Sequence, residues 1–297
     1  MSARRALAGV MAALVTPAGE DGEPDIAGLE RLVSRVVTGG ADGISPAGST
    51  GEGPRLTREQ RLAVTRRVRA LVPPGMPVIP GVPLSTPQDG MAELEALAGA
   101  GATAALVSPP SYYPLSDDAV QRLYETLAAR SPLPLLLYNI PVFTKVRIAP
   151  GVVAKLAAHP SIAGIKDSSR DLEYQQQVIH CSAGTEFSVF TGTDTLLVAS
   201  LTIGAAGAIA ASVNLVPDLT AGVYRAVTTG DLTAALRMQE RLARVVAACR
   251  RGEFPAGWKT ALELAGVCAA HPVPPGLPLS AEQRSRLAAD LAAEGIA

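Results

Sequence analysis

Lysine is scarce in this chain of 297 residues: it occurs only at positions 145, 155, 166 and 259, and arginine carries the remaining positive charge. Histidine and cysteine are scarcer still, with three of each. His159, His180 and His271 form no ligand-like cluster, so metal-dependent chemistry is not indicated. Cys181, Cys249 and Cys268 are widely spaced and make no CxxC, so neither a disulfide framework nor a zinc site is suggested. Reduced thiols in helices or core fit a cytoplasmic location. An excess of either charge is also missing, since the formal net charge is −1. No basic run with interleaved aromatics occurs, so nucleic acid is not an expected partner. No uninterrupted apolar stretch is long enough to span a bilayer, so neither is a membrane. At the N-terminus Arg4-Arg5 precede a weakly apolar stretch, but Gly9 interrupts it and Thr16-Pro17 end it. That segment reads as a first strand rather than a secretory signal.

What the chain does contain is a rhythm. Short apolar runs alternate with longer segments of helical period, and Gly, Pro or Ser clusters separate them. Expected strands run from Gly9 to Val15, Gly43 to Ser45, Val78 to Pro80, Ala104 to Val107, Leu135 to Tyr138, Ile162 to Lys166, Ser188 to Thr191 and Ala206 to Ile209. The helices between them have recognisable starts. Thr57 with Gln60 makes a capping box, Thr86-Pro87 supplies an N-cap and a first-turn proline, and Ser116 is followed by Asp117-Asp118 at the positive end of a helix dipole. Eight such units before the rhythm stops point to an α/β fold closed as a (β/α)8 TIM barrel rather than an open doubly wound sheet. From about Val216 only helices follow: Asp218 to Thr228, Asp231 to Arg250, Ala256 to Cys268, and Ser280 to Ala293, the last with a Ser280/Gln283 capping box. Two regions are expected, a barrel carrying the active site over residues 1–215 and a small all-helical appendage over 216–297 packed on it.

Catalytic groups of such barrels gather at the carboxyl ends of the strands. Lys166 closes the apolar run Ile162-Ala163-Gly164-Ile165, whereas Lys145, Lys155 and Lys259 fall in polar or helical surroundings that suit an exposed ammonium. Burial disfavours the charged form of a lysine, and a free amine forms a Schiff base with a carbonyl substrate. The other reading is a snorkelling lysine with its head in water. Tyr138 ends the neighbouring fifth strand. With strands ~4.8 Å apart, it is either a proton relay for that amine or an ordinary core tyrosine. The second strand leads into Gly48-Ser49-Thr50-Gly51-Glu52, where glycines, amides and two hydroxyls suit a carboxylate, or simply make a turn before the next helix. The loop matches neither a P-loop nor a dinucleotide fingerprint. Tyr112-Tyr113 reads as an interface or lid element.

Taken in order, Ala13-Leu14-Val15-Thr16-Pro17, Gly48-Ser49-Thr50-Gly51-Glu52, Tyr112-Tyr113, Tyr138-Asn139-Ile140-Pro141, Gly164-Ile165-Lys166-Asp167 and the helical C-terminus resemble the class I aldolase family that contains dihydrodipicolinate synthase and N-acetylneuraminate lyase. The resemblance spans nearly the whole chain and implies a homotetramer, or at least a homodimer. It implies that Lys166 is the Schiff-base lysine and Tyr138 the proton relay. Ser49 would link Tyr138 to a tyrosine donated by a neighbouring subunit, assigned to Tyr113. Thr50 and its amide, in the loop that begins at Gly48, would hold the carboxylate of pyruvate, and the backbone around Ile209 would complete that pocket. Asp167 is expected to cap the following helix. No cofactor is implied beyond the covalent imine on Lys166, and no metal.

The second substrate, an aldehyde, is where this sequence departs from the pattern. The synthases carry an arginine two residues after the proline of the Tyr-Asn-x-Pro motif; here that residue is Phe143, and an apolar ring does not replace a bidentate guanidinium. Ser49 matches the lyase form of the loop. In the run Gly192-Thr193-Asp194, only Asp194 survives of the acid pair that sialic acid lyases use. The sequence therefore points to a pyruvate aldolase acting on a 2-oxo-3-deoxy sugar acid or a similar, less charged 2-oxo acid. The alternatives are dihydrodipicolinate synthase, a 2-oxo acid dehydratase or hydratase-aldolase, and a non-catalytic 2-oxo acid-binding barrel.

Overall fold

A computed structural model describes residues 7–269 and 271–296; residues 1–6 of the opening segment lie outside it. Eight parallel strands form one sheet: β1 (Gly9–Ala13), β2 (Gly43–Ser45), β3 (Gly81–Pro83), β4 (Ala105–Ser108), β5 (Leu135–Asn139), β6 (Ile162–Asp167), β7 (Ser188–Thr191) and β8 (Gly207–Ala210). Their order is β2-β1-β8-β7-β6-β5-β4-β3. The two edges meet through an isolated parallel bridge between Ile44 and Val78. Hydrogen bonds from Ile44 N to the Pro77 carbonyl (2.9 Å) and from Ile79 N to the Ile44 carbonyl (2.8 Å) complete the closure.

Seven expected strands lie within a few residues of the observed ones. The third, expected at Val78 to Pro80, is found at Gly81–Pro83. Pro77, Pro80 and Pro83 have no N–H to give a ladder, so this stretch bridges β2 early and pairs with β4 late. The expected helix caps are present: both capping boxes close, Thr57 with Gln60 and Ser280 with Gln283, and Thr86 and Ser116 cap their helices. The helix expected to run from Ala256 to Cys268 stops at Leu264. Gly266, at φ 69°, adopts the left-handed conformation that ends it.

The two-residue period of the strands sorts side chains between two spaces. Met11, Ala13, Leu136, Tyr138, Phe190 and Ile209 fill the barrel interior. Their neighbours Val10, Ala12 and Ala208 face the layer outside, with Leu242, Val245, Trp258 and Leu287 of the C-terminal helices. The helical region thus shares its core with the barrel.

Lys259 corrects the sequence reading. It is 0% exposed, more deeply buried than Lys166, because the helix Ala256–Leu264 turns its Lys259 face inward against the β2 loop. Its ammonium meets the Glu52 carboxylate at 2.5 Å and donates to the His271 carbonyl at 2.6 Å. Glu52, also buried, accepts from Arg55 Nη1 and from the Val273 amide. Burial pushes the Lys259 ammonium below the ordinary lysine range, and the Glu52 charge opposes that shift. The pair ties the loop after β2 to the C-terminal region. Glu52→Gln leaves a buried ammonium without its counter-charge and is expected to cost ~3–5 kcal/mol of stability. Adding Lys259→Met should recover part of that loss, read as a denaturation midpoint for each variant.

Candidate active site

Tyr138 and Lys166 are partners across the β5–β6 ladder. Equivalent positions on adjacent parallel strands point the same way, so both enter the barrel interior, and Lys166 is only 5% exposed. The Lys166 Nζ sits 4.7 Å from the centroid of the Tyr138 ring, a cation–π distance. Among the described residues it has no hydrogen-bond acceptor or acidic partner, whereas Lys259 is held by two. Of the two buried lysines, only Lys166 has a free amine nitrogen.

The space for that amine depends on Gly192, after β7. A Cβ at this position would lie 2.7 Å from Lys166 Cε and 2.0 Å from Ser168 Oγ. Beyond the pair, Asn139 Nδ2 donates to Asp167 Oδ1 (2.7 Å), and Asn139 Oδ1 accepts from the Ile148 amide. Asp167 also accepts from the amide and hydroxyl of Ser169. Burial raises its carboxyl above the ordinary range, against these hydrogen bonds. Asp167 does not cap the next helix, as the sequence suggested. That helix, Leu172–Cys181, is capped by Asp171, one turn further along the loop. Asp167 instead locks the ends of β5 and β6 together.

The loop after β2 brings Ser49 Oγ to 3.4 Å from the Tyr138 hydroxyl. Thr16 Oγ1 donates to the Gly51 carbonyl and holds the loop to the end of β1. Gly51 and Gly53 serve packing: a Cβ on Gly51 would meet the Leu14 carbonyl at 2.7 Å, and one on Gly53 the Ala47 carbonyl at 1.8 Å, whereas one on Gly48 would meet nothing within 4 Å. The amides of Ser49 and Thr50 have no acceptor among the described residues, so they are available to an anion.

A cavity of about 360 Å³ collects these groups, within the size range of small-molecule sites. Ser49, Thr50, Tyr138, Phe143, Lys166, Gly192, Asp194 and Ile209 line it together. Two expected residues do not. Gly48 lines a small neighbouring pocket that shares Ser49 and Tyr138 with the cavity. Tyr113, 72% exposed and packed edge-on against Tyr112, lies outside the cavity of its own chain. Asp194 is buried, and its Oδ1 accepts from the Ser212 amide at 2.8 Å.

Sequence reasoning missed one wall altogether. Val246, Cys249, Arg250, Arg251 and Phe254 reach the cavity from the helix Leu232–Cys249 and the turn after it, Trp258 from the helix Ala256–Leu264, and Arg170 from the loop after β6. Arg170, in the run Asp167-Ser168-Ser169-Arg170 that follows the lysine, was the one readable signal. That the end of a long amphipathic helix would arrive at the barrel mouth is a tertiary fact with no local signature.

Comparison with known proteins agrees with this geometry. The model of the dihydrodipicolinate synthetase family matches residues 6–294. An uncharacterized DapA-like lyase of Halobacterium salinarum is 35% identical over 290 residues, 98% of this chain and 95% of the relative. A 4-hydroxy-tetrahydrodipicolinate synthase of Gluconacetobacter diazotrophicus is 31% identical over 288 residues, 97% of each chain. Among solved structures, a prophage protein of the dihydrodipicolinic acid synthase family from E. coli K12, in complex with pyruvate, superposes with a TM-score of 0.93 at 28% identity over 98% of this chain and 99% of that one. The dihydrodipicolinate synthase of Thermotoga maritima superposes with a TM-score of 0.95 at 25% identity, covering 99% and 100%. Matched end to end by the family model and by these relatives, the chain belongs to the dihydrodipicolinate synthetase family.

Proposed function

We propose that this protein is a class I aldolase that joins pyruvate to an aldehyde, or releases it by the reverse cleavage, through an imine on Lys166. The observation that carries this reading is a buried lysine amine, free of any acidic partner, in register with a tyrosine whose hydroxyl faces Ser49. Such an amine has a nucleophile's task rather than a structural one.

In this mechanism the Lys166 amine attacks the keto carbon of pyruvate while the free amides of Ser49 and Thr50 hold its carboxylate. Tyr138 delivers a proton to the departing oxygen, so one water leaves and a protonated imine remains. The Tyr138 ring face stabilises that cation. Loss of a proton from the methyl carbon gives the enamine, which attacks the aldehyde carbon. Water then adds to the new imine, and the product departs from the regenerated amine. Ser49 passes protons to and from Tyr138. The exposed Tyr112–Tyr113 pair suits an interface with a second copy of the chain, from which Tyr113 would extend the Ser49–Tyr138 chain of hydroxyls. The resident chemistry needs no group beyond these side chains. An enzyme that eliminates water from the same imine would use the same residues, and product analysis separates the two.

Borohydride added with pyruvate is expected to leave a stable pyruvate-derived mass on the Lys166 peptide, and none in Lys166→Ala. An adduct on Lys259 instead would overturn the assignment. Tyr138→Phe should keep the adduct but slow its formation and turnover by about 10²–10⁴-fold. Gly192→Ala should reduce trapping at least ~10-fold by displacing the Lys166 stem, with the melting temperature as the control for folding.

A further inference from the structure

We propose that Arg170 and Arg250 form an anion subsite at the outer end of the cavity, which takes a carboxylate or phosphate carried at the far end of the second substrate. This inference rests on the imine reading above and names the substrate class of that same site.

Both arginines line the cavity that contains Lys166. Both are exposed where Lys166 is buried, which puts them toward the mouth. Among the described residues neither guanidinium forms an ion pair or a hydrogen bond. The third arginine of the lining differs: Arg251 is paired with Asp290 at 2.5 Å and donates to the Ala248 carbonyl. Once that pair is set aside, the lining holds three cations, Lys166, Arg170 and Arg250, against the single carboxylate of Asp194. Asp194 spends one oxygen on the Ser212 amide. Pyruvate brings one negative charge, and a protonated imine keeps the charge of the lysine. One positive charge then remains unanswered, and it lies at the two guanidinia.

The backbone adds a second, independent observation. Arg170 has φ 63°, in the left-handed region that glycine occupies without cost and an arginine does not. Residues held in such conformations gather at ligand sites, where the surrounding structure sustains the strain. In this conformation Arg170 lines the cavity. Arg250 is partly desolvated there and feels the like charge of Arg170, and both effects lower its basicity against the pull of Asp194. Two guanidinia lining one cavity, neither ion-paired among the described residues, suit a bridging oxyanion. Phe143 and Phe254, with ring centroids 5.8 Å apart, offer an apolar wall for the carbon chain between the two charged ends.

The test uses 2-oxo acids of equal chain length that form the same imine: 2-oxohexanoate, with an uncharged end, against 2-oxoadipate and 2-oxo-5-phosphonopentanoate. The concentration for half-maximal borohydride trapping on Lys166 is measured for each and normalised to pyruvate. The charged compounds are expected to trap at about ten- to a hundred-fold lower concentration than 2-oxohexanoate, the range of charge-assisted hydrogen bonds. Whether the carboxylate or the phosphonate gains more tells which anion the natural substrate carries. Arg170→Gln and Arg250→Gln should each shrink the preference, and the double variant should abolish it. Arg170→Gly is the sharper variant: it should lose the preference while raising the melting temperature, which a purely structural arginine would not do. If the wild type traps pyruvate and shows no preference for a charged end, the subsite is overturned and the imine reading stands. If it traps none of these acids, both fall.

Discussion

The register between β5 and β6 is the constraint on which the rest of this site depends. Parallel pairing sets Tyr138 opposite Lys166, and the alternation of side chains turns both toward the barrel axis. Their proximity is therefore fixed by backbone hydrogen bonds, with no direct bond needed between the two side chains. The Asn139–Asp167 contact, one residue further along both strands, closes the ladder and keeps its ends from slipping. Gly192 on the next strand end leaves the volume that the lysine stem occupies. A shift by one residue in either strand would turn an amine or a phenol out into the apolar layer beneath the helices, where neither could be accommodated.

A second device holds the remaining walls to this pair. Glu52 ends the loop that presents Ser49 and Thr50, and its carboxylate is buried against Lys259 of the helix Ala256–Leu264. Trp258, beside Lys259 on that helix, and Phe254, just before it, line the cavity. One ion pair thus fixes the position of the loop after β2 and of the opposite wall. Replacing buried pairs of this kind with apolar residues often costs little. What the pair contributes here is a defined geometry between two segments more than two hundred positions apart in the sequence.

Most of the barrel was legible because its signals are local. Alternating apolar runs gave the strands, and Thr57, Thr86, Ser116 and Ser280 marked helix starts that the structure repeats. Lys166 stood out because an ammonium at the end of an apolar strand contradicts its surroundings. The same logic failed for Lys259. A lysine within a helix looks ordinary until the partner that buries it is known, and Glu52 lies far away in the chain. It also failed for β3, where prolines break the ladder that an apolar run would otherwise complete. The role of Asp167 was misplaced for a related reason: cap geometry is set by backbone angles in the loop, which favour Asp171.

The loss of a guanidinium at Phe143 argued, in sequence, for a less charged second substrate. In three dimensions the relevant quantity is the charge around a volume rather than the residue at one position. Arg170 and Arg250 come from a loop after β6 and from the end of a C-terminal helix, yet both face the space that Phe143 borders. A cavity wall can carry its positive charge on different elements and still present a positive potential to an anionic substrate. The pyruvate half of the site has no such freedom, because imine chemistry demands an amine, a proton relay and a carboxylate cradle at fixed mutual distances. That asymmetry explains why motifs identify the family and leave the second substrate open: only the first half of the chemistry is bound to particular positions on the strands.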